Sequence, residues 1–493
     1  MKKFLFLCAT AGILAATSCR KIEVDGSTTI VNNPSTEENT ILEGRIIANR
    51  TLKANYTYKL RGLVYVTNGA ILTIEPGTKI VGENGKNGGL VIARGAKINA
   101  EGTAEKPILF TSEASTPQRG DWAGLVILGN APTNASFNGT AGIGEIEGGI
   151  NNSDGLGLYG LGTSSNVTDN SGILKYVRIE YAGYAFLPDK EINGLTLGGV
   201  GNGTTIDYVQ VSYANDDSFE WFGGTVNCKH LISFRTLDDD FDTDNGYSGK
   251  VQFGISLRDS AVADISKSEA FECDNDANGS DTKTTVTTIN GTNGVTIAPV
   301  RTSAVFSNMT IIGPKATPTT NTNSLYLAAA QLRRNCEQSI FNSLILGWAD
   351  GSLTGLLIDA SKGIPTDKNL APEGGLHFQN NVIAGATANL VKYAPSATTP
   401  TGATTQSITD WVNRTEFANT SVATNAGVGL VDPFNYTNPN FNPSATSIAS
   451  SGAAFTAAKL LTKTSNVSDF TAVSYKGACA VGDTWWQNWT SFK

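Results

Sequence analysis

One phrase returns along this chain, and its spacing limits what the chain can fold into. At 63–74 the sequence LVYVTNGAILTI reads as two period-two strands about an Asn-Gly turn, and at 90–99 LVIARGAKIN is a related phrase. Their Gly-Ala pairs begin at 69 and 95, 26 residues apart, and a third strand at 107–111 ends the unit. At 176–182 YVRIEYA is followed by a near copy, YVQVSYA, at 208–214, 32 residues on. The series continues through LISFR at 231–235, FSNMTIIG at 306–313, FNSLILG at 341–347 and FQNNVIAG at 378–385. Repeats of this length with short strands and Gly, Asn or Asp turns describe a solenoid. A helical solenoid needs apolar stripes of period 3.6, which these segments lack. A propeller needs four longer strands per repeat. The expectation is an all-β fold, a right-handed single-stranded parallel β-helix. The recurring Phe-x-Asn opening predicts a polar ladder at one corner and an apolar ladder inside.

The rest of the chain divides around that coil. Residues 1–18 read as a signal segment, 19–40 as a polar flexible tether, 41–385 as the β-helix and 386–493 as a C-terminal region with a cap. The Gly- and Asn-rich stretch 129–171 is an excursion from the coil, and 281–296 and 314–323 are threonine-rich insertions. A short helix is expected over 408–417, with Thr409 or Ser407 as its cap. The aromatic run at 483–492, DTWWQNWTSF, is expected to cover the last open coil, because aromatic rings cover much area per residue. A sugar-stacking platform or partner contact is the other reading of that run.

Composition removes some functions. With 36 Lys and Arg against 44 Asp and Glu, the net charge is -8 and no basic patch is visible, which disfavours a nucleic-acid partner. Lys2 and Lys3 precede an apolar run at 4–16 that is too short to span a bilayer, and Ala16-Thr17-Ser18 leads into Cys19. This start resembles a bacterial lipoprotein signal. The resemblance implies lipidation of Cys19 and a mature protein tethered to the outer membrane through its acyl chains. Cys228, Cys273, Cys336 and Cys479 then remain, enough for two disulfides in any of three pairings, or for four buried thiols.

The functional signal lies between 216 and 279, where DDSFEWFGG, DDDFDTDNGYSGK and EAFECDNDANG follow one another. Aligning Phe219, Phe241 and Phe271 stacks Glu220, Asp242 and Glu272 on successive coils. A competing register aligns Gly223 with Gly198 and slides the acids out of line. Coils of a parallel sheet stand about 4.8 Å apart, so stacked carboxylates repel unless a cation intervenes or a proton stays on. Asp216, Asp217, Glu220, Asp238, Asp239, Asp240, Asp242, Asp244, Glu272 and Asp274 are therefore candidate calcium ligands, calcium taking several carboxylate oxygens without strict geometry. The string Asp240-x-Asp242-x-Asp244-Asn245-Gly246 has the alternating oxygens of a calcium loop but lacks the terminal Glu. The competing reading is solvated turns, in which Asp and Asn bond the local backbone.

The phrases ILTIEPGTKI, EGTAEKPILFTS and RGDWAGLVILGNAP, and the SYKGA before the Trp-rich end, resemble surface lipoproteins of Bacteroidota with a pectin-lyase-like β-helix. That resemblance implies a cell-surface binding protein whose partner is a glycan, a protein or a TonB-dependent transporter. Arg20 and Lys21 directly after Cys19 depart from the acidic start that many of these proteins carry. The fold also includes pectate-lyase-like enzymes, which pair calcium with a base, and polygalacturonase-like hydrolases, which use paired aspartates. Asp216-Asp217 and Thr243-Asp244 stand in the reverse of the hydrolase order, and no Gly-His-Gly or Arg-x-Lys is present. Lys250, Arg235 and Arg258 are candidate bases for a lyase, and His230 and His377 read as surface or corner residues.

Overall fold

The computed structural model describes residues 39–493 apart from 86, 186–191, 278, 280–286, 289–294, 297–299 and 462–468. The signal segment, Cys19, nearly all of the tether and most of 281–296 lie outside the described residues. What is described is a parallel β-helix, one 28-stranded sheet wound into coils with three ladders per turn. Both repeat lengths of the sequence are register shifts in the sheet: Ile71 pairs with Lys97 and Val177 with Val209. Period-two patterning puts Leu, Ile, Val and Phe of every coil into one interior cluster, from Leu42 to Phe417.

Each coil bends at a residue in the left-handed region. Tyr176, Tyr208, His230, Phe253, Asn308, Asn342 and Asn380 occupy one such corner, with φ between 49° and 63°. Asn tolerates this conformation because its side chain can bond the backbone locally. The expected polar ladder is there, formed by Asn308, Asn342 and Asn380, and the phenylalanines need one correction. Ser307 pairs with Phe341, so the interior column runs Phe306, Ile340, Phe378. Phe341 stands one place later and packs with Val305 and Leu460 in a separate cluster.

The C-terminal region does more than the sequence indicated. Rungs continue past 385, with Val391–Ala394 on Leu356–Asp359 and Thr420–Val422 on Val382–Gly385. The helix is Thr405–Val412, and its N-cap is Thr404, not Thr409 or Ser407. Ser407 completes the capping box by accepting the Thr404 N–H at 2.8 Å. Ile408, Trp411, Val412 and Phe417 join the interior cluster, so this helix and the turn after it cap the coil. The 483–492 run does not. The chain from 452 onward is held against successive coils by Asn380 to Gly452, Asn308 to Tyr475, Gln252 to Thr471 and Gln210 to Ser491. Trp485 and Trp489 pack edge-on against Tyr208 and His230 on that side face. An aromatic segment covers apolar area wherever it lies, and here the aromatic corner offers it more than the last coil. His230, stacked between Tyr208 and Phe253, is a corner residue as expected.

Residues 129–171 are an excursion, carrying two small antiparallel pairs. Ile146, Ile150 and Tyr159 from it pack on the outward face of Val126, Leu128 and Phe222. Cys228, Cys273, Cys336 and Cys479 are all buried free thiols. Among the described residues no helix is long and apolar enough to cross a membrane.

Candidate functional site

The acidic coils occupy one ladder, the strands Leu195–Gly198, Phe219–Phe222, Phe241–Asp244, Phe271–Cys273 and Ala330–Arg333. Phe219 pairs with Phe241 and Phe241 with Phe271, which places Glu220, Asp242 and Glu272 in register. Gly198 pairs with Phe222, so the glycine-aligned register is not the one adopted. The three phenylalanines stack inside, with ring centroids 5.7 and 5.5 Å apart, and their packing fixes the register. The acids that alternate with them must then face outward.

A second acidic column lies three residues earlier in each coil. Asp217 takes the place of Asn193 one coil on, followed by Asp239 and Glu269. The first three side chains of this column each accept the backbone N–H of the next coil: Asn193 Oδ1 from Asp217 at 3.3 Å, Asp217 Oδ1 from Asp239 at 2.8 Å, and Asp239 Oδ1 from Glu269 at 2.6 Å. Backbone bonding by turn acids is thus real here, but it uses one oxygen of each carboxylate. The other oxygens, with those of the Glu220 column, converge. Carboxylate oxygens lie within 4.8 Å of one another in three groups, Asp216–Asp217–Asp238, Asp217–Glu220–Asp242 and Asp239–Glu269–Glu272.

These groups are poorly compensated. Asp217, Glu220, Asp239 and Glu269 are buried, and Asp242 and Glu272 half-buried. Asp238 Oδ1, Asp242 Oδ1 and Glu269 Oε1 are shielded from solvent and have no hydrogen-bond partner. Buried polar atoms nearly always have one, so three orphans in one array mark an unmet requirement. Burial, reinforced by neighbouring carboxylates, raises Asp217, Glu220 and Asp239 well above the usual carboxylate range. The same causes push Asp242 up to about 6, Asp238 to about 7 and Glu269 to about 8. Without a cation, this array holds protons near neutrality.

The remaining candidates separate from it. Asp240 turns inward, where it meets Arg258 at 3.3 Å and the hydroxyls of Ser233 and Ser256 at 2.5 Å each. Asp244 spends both oxygens on the main-chain and side-chain N–H groups of Asn245. Asp274 binds Arg333 and Arg334, and Glu272 shares Arg333. The calcium-loop string at 240–246 is therefore no loop: it enters a strand at Phe241, Asp240 faces the core, and Asp242 and Asp244 stand about 6.6 Å apart along the chain. These three cannot surround one ion. The candidate bases are also occupied elsewhere, Lys250 with Asp469, Arg235 with Asp259 and Arg258 with Asp240. Glu269 was missed in the sequence, although acid-x-x-acid recurs at 217–220, 239–242 and 269–272. Glu269 opens its segment as an isolated acid, without the Asp-Asp pairing that marked its equivalents.

A family model described as a pectate-lyase like beta helix domain matches residues 44–430. Comparison with curated proteins finds no match. Among solved structures, an alginate lyase from Paenibacillus sp. str. FPU-7 matches with a TM-score of 0.31 and 10% identity, covering 72% of this chain and 90% of that one. The family match takes in every coil of the acidic ladder and most of the chain. The chain belongs to the family of pectate-lyase like beta helix domains.

Proposed function

We propose that this chain is a non-catalytic binding protein, tethered to the outer membrane through Cys19 and displayed at the cell surface as in the Bacteroidota lipoproteins it resembles. Its outward acidic sheet face holds calcium, and calcium mediates contact with an extracellular ligand. The observation that carries this reading is the set of orphaned, buried carboxylate oxygens converging on a face with few positive groups. A hard divalent cation satisfies such oxygens. A binding role is favoured over a lyase because, among the described residues, Lys250, Arg235 and Arg258 are each paired with an acid elsewhere, and the charges of Glu272 and Asp274 hold Arg333 as a cation against the opposing effect of burial. It is favoured over a hydrolase by the reversed order of Asp216-Asp217 and Thr243-Asp244. The ligand class that calcium suits is an acidic glycan, which the calcium would bridge to the face. A protein partner, such as a TonB-dependent transporter, would instead use the long rigid side of the coil.

The test is a thermal melt of residues 20–493 in EDTA and then in calcium. A saturating rise in melting temperature that shrinks in Asp242→Asn supports the site. Polygalacturonate and alginate are then assayed for calcium-dependent retention and for cleavage. Cleavage with wild-type protein would overturn the non-catalytic reading, and an unchanged melt would remove calcium from it.

A further inference from the structure

The acidic face contains a regular array that the calcium reading leaves undivided. Three successive coils each contribute one acid from the turn and one from the strand: Asp217 with Glu220, Asp239 with Asp242, and Glu269 with Glu272. The coil before has Asn193 and Thr196 in these places and the coil after has Ala328 and Gln331, so the array is bounded on both sides. Its six carboxylates fall into two groups that share no member. Asp217, Glu220 and Asp242 bring oxygens within 4.8 Å of one another, and so do Asp239, Glu269 and Glu272. The third group, with Asp216 and Asp238, reuses Asp217 and so competes with the first.

We propose that the array is a two-cation site, one divalent ion held by Asp217, Glu220 and Asp242 and a second by Asp239, Glu269 and Glu272. The proposal rests on the calcium reading of this face and specifies its stoichiometry. Each group contains one carboxylate oxygen shielded from water and without a partner, Asp242 Oδ1 in the first and Glu269 Oε1 in the second. Glu269 is 1% exposed, so neither solvent nor a surface side chain completes it. One ion reached by both of these oxygens would have to bridge two groups that share no carboxylate, whereas two ions each fill a group of three acids. The charges also favour two. Among the described residues, the six carboxylates are met by the guanidinium of Arg333, which already takes one oxygen of Glu272. Two divalent ions and Arg333 together offset five of the six negative charges.

The second ion is the enclosed one. Asp239 and Glu269 are 4% and 1% exposed, whereas Asp242 at the first site is half-buried. The first site is therefore the one that can share its ion with a ligand, and the second stiffens the sheet beneath it. The experiment is isothermal titration of EDTA-stripped, dialysed protein with calcium chloride, checked by metal analysis after gel filtration. Two calcium ions per chain are expected in the wild type. Glu269→Gln and, separately, Asp242→Asn should each leave one, with the Asp242→Asn ion exchanging more slowly. One ion per wild-type chain overturns the two-site proposal while leaving the calcium reading intact, and no ion overturns both. Two ions in folded Glu269→Gln would show that the second group is not a site. The wild-type stoichiometry decides the matter even if a variant fails to fold.

Discussion

Asp240 and Asp242 stand two residues apart on opposite sides of one sheet, and the regions around them handle buried charge in opposite ways. Inside the coil, Asp240 and Arg258 are both fully buried, and Ser233, Ser256 and the carbonyls of Leu237 and Asp238 take up the bonds that the pair does not use. Outside, Asp242 faces Glu220 and Glu272 with an oxygen that nothing meets. A buried carboxylate costs several kcal/mol unless it is paired and bonded. Inside, the protein supplies both oxygens of the carboxylate with partners, and only Arg258 Nε goes without one. On the outer face it does not, and the orphaned oxygens fall on two successive coils. The inner carboxylate is complete without a ligand, and the outer ones are organised for something that arrives.

The largest expected effect tests the inner region. Asp240→Ala leaves Arg258 buried without its counter-charge and should cost about 3–5 kcal/mol in denaturant unfolding. That loss should be the same in EDTA and in calcium; a loss that calcium repairs would place Asp240 in the ion site after all. The outer region should behave in the opposite way. Wild-type protein at calcium a hundred times its dissociation constant should gain about 2.7 kcal/mol per bound ion over the EDTA form. Asp242→Asn should lose the share of its own ion yet melt no lower than wild type in EDTA, because it removes a repulsive charge and keeps the shape. A lower melt in EDTA would mean that Asp242 already has a partner.

Proton linkage gives the next effect and its sign is fixed. Folded-state values near 6 for Asp242, 7 for Asp238 and 8 for Glu269 lie above those of an unfolded chain. A raised carboxyl contributes stability that is fully present below its unfolded value, about 4, and lost as pH rises through the folded one. In EDTA, stability should therefore fall as pH rises from about 4 to about 8, Asp242 contributing to the loss up to about pH 6, Asp238 to about 7 and Glu269 to about 8. Saturating calcium should remove most of that slope, since the cation replaces the protons. A flat profile in EDTA would show that the carboxylates are ionised and solvated in the free protein.

How much of this was legible varied with the physical scale of the signal. The coil was readable because period-two patterning and a turn every few residues are local, and the repeated YVRIEYA and YVQVSYA phrases give the register outright. The acidic register followed from the phenylalanines at 219, 241 and 271, since ring stacking is the strongest constraint on neighbouring coils. Which way Asp240 points was not readable. It precedes the strand by one residue, and the bend that turns it inward is answered by Arg258, eighteen positions away. The path of the C-terminal segment was hidden for the same reason: its aromatic composition says that it covers apolar surface, and only the coil's geometry says which. The rungs after 385 lie half-exposed and are held by backbone bonds, so they left no period in the side chains.

The smallest effect concerns the boundary between the two behaviours. Arg333 contacts Glu272 at 2.5 Å and Asp274 at 2.8 Å at the edge of the array, so it already does in part what a cation would do. Its side chain is partly exposed, and water screens the pair, which limits its worth to about 1 kcal/mol. Arg333→Gln should lower stability in EDTA by that amount, because Glu272 loses its counter-charge and Asp274 keeps only Arg334. The same substitution should bind calcium a few-fold more tightly, since Glu272 no longer shares its charge with a guanidinium. Stability in saturating calcium would then return close to that of the wild type. If calcium affinity instead falls with Arg333, the arginine is orienting Glu272 for the ion rather than competing with it. The two regions would then differ less than their geometry indicates, each holding its acids in place through an arginine.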